Sequence, residues 1–524
     1  MSSLQHASGV PPKKNGPVVF LKRLVALIRG RKGDNKTYTQ GPIAGTMLRT
    51  ALVMLPGTLA ISGYNLVDAY FVGRLDGDAP MAAIGLTAPL VMICGCLFHG
   101  LSAGVMTTTA QAFGGKRRWR AEQLVSTGLL LVTLFSLVLA VLGPLATRGI
   151  FRFVGNAATD ANGVSAEEIR GISAEAKALA TAYMDIWFWA CVTSALGMSG
   201  NNLLVTANDS KNASATMVLG LASNAFLDPL FMFRKVVCGI PLGFGLGVVG
   251  AAWATVTAQM IGTSAVLLIL WKKHHLIRFR LIRKAKLATL WKRIISFAIP
   301  ASLGSLMMPI GMTIMTWITS HFGDVVVGAI TAAQRVQAIA FFFPMSLGVS
   351  LLPMIGQNYG ARLYSRINGC RRFAMRFAFI YLMTMSVLFF LFAPYIAGQF
   401  LADDKIEMRA VMAFALRILP WGFAFLEVHR YSGFFFTGCG RPMAAAMLNA
   451  MRILGFLVPL SLLVLLYFHL TGNQDAALTL LLVSQMAADV LAGTIALVLA
   501  RRLTKRFPSD GESEQFDRHR RMFD

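Results

Sequence analysis

Long apolar stretches recur along the chain and are separated by short polar connections. Residues 124–143 read LVSTGLLLVTLFSLVLAVLG, and residues 478–500 read LTLLLVSQMAADVLAGTIALVLA. Each stretch is long enough to cross a bilayer, because about 20 helical residues span its hydrocarbon core. The pattern predicts an all-α polytopic membrane protein. Its twelve spanning helices are placed near residues 49–73, 82–110, 121–146, 176–206, 213–233, 246–271, 292–319, 324–354, 371–398, 407–437, 443–468 and 476–500.

The composition supports a membrane location. Hydrophobic residues make up 56% of the chain, charged residues make up only 14%, and the mean hydropathy is +0.61. A soluble domain carries about 25% charged residues. The predicted spans leave no separate soluble domain of useful size, so we expect a core of helices packed on each other in lipid.

Lysine and arginine are concentrated in alternate connections, although the net charge of +25 also raises the question of nucleic-acid binding. The basic connections are residues 116–120, 272–293 and 362–372. The positive-inside rule predicts that these connections and both termini are cytoplasmic, in a bacterial cytoplasmic membrane. We expect this charge to attract anionic membrane lipid. No basic domain with interleaved aromatic residues lies outside the spans, which argues against a nucleic-acid partner.

The first 40 residues lack the small-residue cleavage site of a secretory signal. Residues 20–33, FLKRLVALIRGRKG, are basic and amphipathic. This segment is expected either to lie on the membrane surface or to be a solvated tail, and the sequence favours neither alternative.

The chain contains an internal repeat. Three short motifs recur 246 positions later: GD at 77–78 and 323–324, AI at 83–84 and 329–330, and QAFGG at 111–115 with QNYGA at 357–361. The equal offsets predict two homologous six-helix lobes, which run in the same direction because six is even, with a central cavity between them. The predicted division is a basic tail 1–45, an N-lobe 46–271, a basic cytoplasmic linker 272–291, a C-lobe 292–500 and a polar tail 501–524.

Two of the acids inside spans of the first half each have an amide on the same helix face. Asn65 precedes Asp68 by three residues and Asn224 precedes Asp228 by four, so each acid shares a helix face with an amide. An acid between helices can exchange a proton, because burial disfavours its charged form, or it can hold Na⁺ together with amide and backbone oxygens. The alternative is a structural hydrogen bond to a neighbouring helix.

Two prolines lie in the same spans as these acids. Pro56 precedes Asp68, and Pro229 directly follows Asp228. Because proline removes a backbone donor and loosens a helix, both are candidate hinges.

The remaining acids within the spans have simpler interpretations. Asp185 is close to the outer end of the fourth span, where an interfacial role is expected as readily as a functional one. Asp489 can form an interhelical hydrogen bond. Glu427 is followed by His429 and Arg430, so an internal ion pair is one interpretation and substrate contact is another.

No catalytic set accompanies these acids. GKRRW at 115–119 lacks the P-loop pattern, and GFGLG at 243–247 lies at the end of a span and not in a dinucleotide fold. No nucleophile elbow or metal motif is found. The sequence therefore predicts a protein that is not an enzyme and needs no cofactor or metal.

Four stretches in this order resemble the multidrug and toxic compound extrusion (MATE) family, and most of all its DinF-like branch. They are NLVDAYFVGRL at 65–75, QAFGGKRR at 111–118, NAFLDPLF at 224–231 and GLGVVGAAWAT at 245–255. The resemblance covers about residues 45–500. It implies a two-lobed antiporter, expected as a monomer, that exports organic, often cationic, compounds in exchange for H⁺ or Na⁺.

The resemblance also implies the residues of the site. The coupling ion would be held in the N-lobe by Asp68, Asn224, Asp228, Tyr183, Asn201 and Thr255. Some members of the family also place acids on the seventh and tenth helices, but the seventh span here has none. We therefore expect Glu427, on the tenth span, to contact substrate.

Two other classes of membrane protein fit this sequence less well. A lipid-linked saccharide flippase of the same superfamily would need cationic residues in its cavity for a pyrophosphate, whereas the first half here carries acids. A channel would not need two lobes that rock against each other.

Overall fold

A computed structural model of the protein describes residues 38–77, 79–156, 174–237, 240–278, 284–402 and 404–508. Within them lie twelve helices long and apolar enough to cross a membrane, and we number these α1–α12. They are Ile43–Val72, Ala79–Gly114, Arg118–Asn156, Ala174–Thr206, Ser210–Met232, Gly247–Lys273, Lys284–Ser320, Asp324–Gly360, Tyr364–Phe400, Ile406–Gly438, Pro442–Thr471 and Gln474–Lys505.

The predicted number and order of the spans are confirmed. Most helices run past the predicted bounds. Thus α7 begins at Lys284, eight residues before the predicted start, and α9 begins at Tyr364, seven before it. The helices continue through basic residues because backbone hydrogen bonds form whether the side chains are apolar or charged. The predicted amphipathic segment 20–33 and the centre of the linker lie outside the described residues.

A short antiparallel hairpin joins α5 to α6. Its strands are β1, Lys235–Val237, and β2, Ile240–Leu242, with Val236 opposite Pro241. The sequence did not predict it. Three-residue strands carry too little alternation to be recognised among apolar spans.

The helices form two lobes, α1–α6 and α7–α12. Each lobe has its own buried apolar cluster, for example around Leu203 and Leu204 in the first and around Leu481 and Leu482 in the second. Between the lobes, α1 packs on α8 and α2 packs on α7. These two pairs are equivalent under the internal repeat, so the lobes are related by the symmetry that the equal offsets predicted.

The lobes meet closely at the end of the bundle that carries the basic connections, which we call the basic end. The Gln111 Nε2 atom donates to the Gly438 carbonyl at 3.1 Å, and the Gln357 Nε2 atom donates to the Thr206 carbonyl at 2.7 Å. These two bonds form the paired-glutamine contact. Gln111 and Gln357 are the repeated residues of the QAFGG and QNYGA motifs, so each lobe supplies one donor to the other.

Glycine makes this contact possible. A Cβ atom on Gly114 would lie 1.8 Å from the Gln357 carbonyl oxygen, and one on Gly360 would lie 2.0 Å from the Gln111 carbonyl oxygen. Both distances are far below van der Waals contact. The backbones of α2 and α8 therefore touch at two symmetric points, which holds the basic end closed in this conformation.

The first part of the linker is bound to the N-lobe. Arg118 donates to the His274 carbonyl at 2.9 Å, and Arg278 lies 3.1 Å from the Glu122 carboxylate. Asp209, in the turn between α4 and α5, accepts 2.8 Å bonds from Lys273 and His274. Burial would raise the pKa of Asp209, but these hydrogen bonds outweigh it and hold that pKa well below its usual range.

Candidate functional site

The predicted acids lie side by side in the N-lobe, on α1 and α5. The Asn224 Nδ2 atom donates to Asp68 Oδ1 at 3.2 Å and to Asp228 Oδ1 at 3.1 Å. The Thr255 hydroxyl of α6 donates to Asp68 Oδ2 at 3.4 Å and lies 3.5 Å from the Asn224 amide nitrogen. One amide and one hydroxyl thus join both carboxyl groups into a network across three helices.

Burial distinguishes the two acids. Asp228 and Asn224 are both 0% exposed, and Thr255 is buried, whereas Asp68 is only half-buried. Asp228 Oδ2 and Asn224 Oδ1 are buried and have no hydrogen-bond partner within the described residues. Two oxygen atoms are therefore free to accept a proton or to contact a cation, and Asp68 lies on the more accessible side of the network.

Close packing of α1 on α5 sets this geometry. The Gly57 amide, which follows Pro56, donates to the Ser214 hydroxyl at 3.0 Å and so bonds outside its own helix. A Cβ atom on Gly57 would lie 2.9 Å from the Ser214 Cα atom. Pro56 cannot donate to the helix hydrogen-bond pattern of α1, and the amide next to it contacts α5 at the position where a hinge was predicted.

The second candidate hinge has a different position. Pro229 lies in the last turn of α5, which ends at Met232. Bending there would move the residues after the helix more than the helix itself. The hinge role of both prolines stays a prediction.

Two tyrosines adjoin the network. Tyr183 of α4 is buried, and its hydroxyl has electrostatic contact with both acids. Tyr64 has the same relation to both acids, and its hydroxyl fills the space beside Gly220 of α5. Sequence reasoning missed Tyr64, although it precedes Asp68 by four residues and so lies on the same face of α1.

Asn201 lies elsewhere. Its Oδ1 atom accepts a 2.8 Å bond from the Thr216 hydroxyl of α5. Thr216 precedes Asp228 by twelve residues, about 18 Å along a helix. The structure therefore does not bring Asn201 together with the acid pair, because its bond to α5 lies three turns nearer the basic end.

Asp185 in the N-lobe and Asp489 in the C-lobe form simple ion pairs. Asp185 lies 2.7 Å from Arg148, with both side chains partly exposed. Asp489 of α12 lies 2.7 Å from Arg452 of α11. The first pair fits the interfacial role considered for Asp185, and the second is the interhelical bond considered for Asp489.

Glu427 is fully buried in the C-lobe. Its nearest cation is Arg430, at 3.5 Å, and the Arg430 guanidinium also lies 5.5 Å from the Phe341 ring centroid. Neither carboxylate oxygen of Glu427 has a hydrogen bond within the described residues. With 0% exposure, the geometry fits the internal ion pair, and the substrate role stays a prediction.

The described residues contain no group of three or more His, Cys, Asp or Glu side chains that could hold a metal ion. A cation at the acid pair would therefore need neutral oxygens as well as carboxylates. Thr255 and the unpaired Oδ1 atom of Asn224 are such oxygens, and hard cations such as Na⁺ accept ligands of this kind.

Comparison with known proteins gives relatives over nearly the whole chain. The FAD transporter of Shewanella oneidensis is 25% identical over 470 residues, which are 90% of this chain and 97% of that protein. The multidrug export protein MepA of Staphylococcus aureus is 22% identical over 89% of this chain and 96% of its own length.

Solved structures show the same fold. A multidrug resistance MATE family transporter of the MOP superfamily, solved in an outward-facing conformation, superposes with a TM-score of 0.79 and 22% identity. It covers 92% of this chain and all of its own. The Vibrio cholerae MATE transporter VcmN, as its D35N mutant, gives a TM-score of 0.77 and 20% identity over 88% of this chain and 97% of its own.

The sequence profile of the MatE family matches residues 56–230 and 300–463. These two segments correspond to the two repeated halves and together cover more than half of the chain. This protein therefore belongs to the MatE family of integral membrane transporters, which are not enzymes.

Proposed function

We propose that this protein is a secondary active antiporter, which exports organic compounds by alternating access and is driven by the inward flow of H⁺ or Na⁺. The observation that carries the proposal is the Asp68–Asn224–Asp228–Thr255 network, which joins three helices and has two buried oxygens without a partner among the described residues. Intramembrane acids are costly and commonly mark ion pathways.

The network can act as a coupling site because two adjacent carboxylates in a poorly hydrated pocket do not both ionise cheaply. Loading of a proton or Na⁺ changes the local charge on α1 and α5. Pro56 gives α1 a place to bend. The ion can shift the balance between the inward-facing and outward-facing states only as far as its affinities for the two states differ.

For the substrate we propose organic cations, because the charged side chains of the N-lobe network, Asp68 and Asp228, are both acids. Two relatives are described as a FAD transporter and a multidrug export protein. Anionic compounds must therefore be tested as substrates alongside cations. A panel with ethidium as the cation and FAD as the anion separates the two charge classes.

Transport in proteoliposomes tests the coupling. We expect an imposed H⁺ or Na⁺ gradient to drive ethidium movement by the wild type. Asp228→Asn keeps ethidium binding but loses gradient-driven movement, because a neutral amide cannot change its charge. Asp185→Asn is the matched control, since it removes an acid of the same lobe that pairs with Arg148. Full pumping by Asp228→Asn under both gradients would refute the coupling site.

We further propose that the basic end and both termini are cytoplasmic. The alternation of basic connections supports this orientation. In a chain whose native cysteines are replaced, Arg280→Cys should react with an impermeant maleimide only after the cells are opened. Labelling of intact cells would reverse the orientation.

A further inference from the structure

A surface groove at the basic end of α9 has features of a lipid site. It has a volume of about 420 Å³ and is lined by Gly369, Arg372, Phe373, Arg376, Phe377 and Ile380. All six residues belong to α9. The groove lies on the C-lobe, in the other half of the chain from the acid pair, so it is separate from the proposed coupling site.

The two arginines of the groove have no partner among the residues that the structure describes. Arg372 and Arg376 are four residues apart on one helix face, and both are exposed. Neither has a hydrogen bond or an ion pair within the described part of the chain. The neighbouring Arg371 differs, because it is buried and donates to Asn368 at 2.8 Å. Two positive charges therefore remain available to an outside ligand.

Aromatic rings form the apolar part of the groove. Phe373 and Phe377 stack with centroids 6.0 Å apart, and Phe377 stacks on Tyr381 at 6.4 Å. Phe343 of α8 packs against Phe377 at 5.5 Å and supports the row from behind. Ile380, which is 68% exposed, continues the apolar surface along α9, away from the basic end.

The position of the two arginines along α9 indicates how deep they lie in the membrane. Arg376 is the last charged residue before an uncharged run from Phe377 to Phe400. That run of 24 residues is about 36 Å long, close to the thickness of the hydrocarbon core. We therefore expect the two guanidinium groups at the level of the lipid phosphates, with Phe377 and Ile380 next to the acyl region.

Gly369 lets the Ile43 side chain, at the start of α1, pack closely against α9. A Cβ atom there would lie 2.6 Å from the Ile43 Cδ1 atom. The groove thus borders the seam at which α9 of the C-lobe meets α1 of the N-lobe.

We propose that this groove binds an anionic phospholipid, with its phosphate on Arg372 and Arg376 and an acyl chain along Phe377 and Ile380. Arginine binds phosphate through its planar fork of donors. Basic residues at the end of a membrane-spanning helix attract the headgroups of anionic lipids. Charge complementarity and the adjoining apolar row together favour a lipid over a soluble anion.

Native mass spectrometry of the intact purified protein tests the site. We expect one cardiolipin to stay bound to the wild type, and Arg372→Gln/Arg376→Gln to bind it about 30-fold more weakly. Lys116→Gln/Arg117→Gln is the matched control, because it removes the same charge from exposed residues at the basic end of the other lobe. The control is expected to bind cardiolipin like the wild type.

Thermal unfolding separates the possible ligands. Cardiolipin should raise the Tm of the wild type and of the control, but not that of the double arginine variant. Phosphatidylcholine and inorganic phosphate should leave all three unchanged. If inorganic phosphate stabilised the protein as much as cardiolipin does, the groove would be a site for a free anion. If both double variants lost cardiolipin equally, binding would depend on general surface charge and not on this groove. Either result overturns the proposal.

Discussion

Replacing Gly114 by alanine should open the basic end of the transporter. The added Cβ atom would lie 1.8 Å from the Gln357 carbonyl oxygen, whereas ordinary contact begins at 3.4 Å, so α2 and α8 must separate by about 1.6 Å locally. Overpacking of this kind costs about 1–3 kcal/mol. The cost falls only on the state in which these helices touch, so the ratio of open to closed states rises about 5- to 150-fold.

The native Cys439 can report this opening, so no cysteine has to be introduced. It follows Gly438, whose carbonyl accepts the Gln111 bond, and it is 2% exposed in the closed state. Its rate of reaction with a maleimide in purified protein measures the open fraction. The background replaces the other five cysteines, Cys94, Cys96, Cys191, Cys238 and Cys370.

Gly115→Ala is the matched control. A Cβ atom on Gly115 would meet its nearest atoms at 3.5 Å, which is ordinary contact, so the labelling rate should stay at the wild-type value. Gly360→Ala should repeat the effect of Gly114→Ala, because it clashes with the Gln111 carbonyl oxygen. If folded Gly114→Ala protein labels no faster than Gly115→Ala, the contact does not hold the basic end closed.

Three further predictions concern acidic residues. Asp68→Asn should lose gradient-driven transport as Asp228→Asn does, and the double variant should be little worse than either single one, because the two act as a unit; additive losses in proteoliposome flux would contradict this. Glu427→Gln should weaken binding of cationic substrates and leave neutral substrates nearly unaffected, because Glu427 is expected to contact substrate. Equal losses for both classes, with a lower Tm, would instead assign Glu427 to the buried ion pair with Arg430. The pKa of Asp209 is lower in the folded protein, so its stabilisation is complete above the pKa of an unfolded aspartate, about 3.9, and is lost below it. Between pH 6 and pH 3, the Tm of Asp209→Asn should therefore fall by less than the Tm of the wild type. An equal fall in both proteins would contradict this.

Most of the fold could be predicted because length and hydropathy decide where a helix crosses a membrane. The twelve spans follow from apolar runs alone, and the two lobes follow from the 246-residue offset. Helix ends could not be predicted as well. At Tyr364 and Lys284 the helix begins inside basic sequence, where hydropathy carries no boundary signal.

For the candidate site, the sequence could predict which residues share a face of one helix, but not which residues of different helices lie together. Asp228 and Asn224 share a face of α5 by spacing alone, and their contact is found at 3.1 Å. The distance between Asn201 and the acid pair depends on how deep α4 lies against α5, which no local pattern encodes. For the same reason, the burial of Glu427 beside Arg430 needed the tertiary structure.

The paired-glutamine contact also bears on how such a chain could have arisen. Gln111 binds the opposite lobe at Gly438, and its repeat partner Gln357 binds the opposite lobe at Thr206. If each half were a separate six-helix subunit, one glutamine per subunit would complete both bonds across a two-fold axis, as in an isologous dimer. A single substitution in such an ancestor would strengthen the interface twice, and gene fusion would then preserve both copies in one polypeptide.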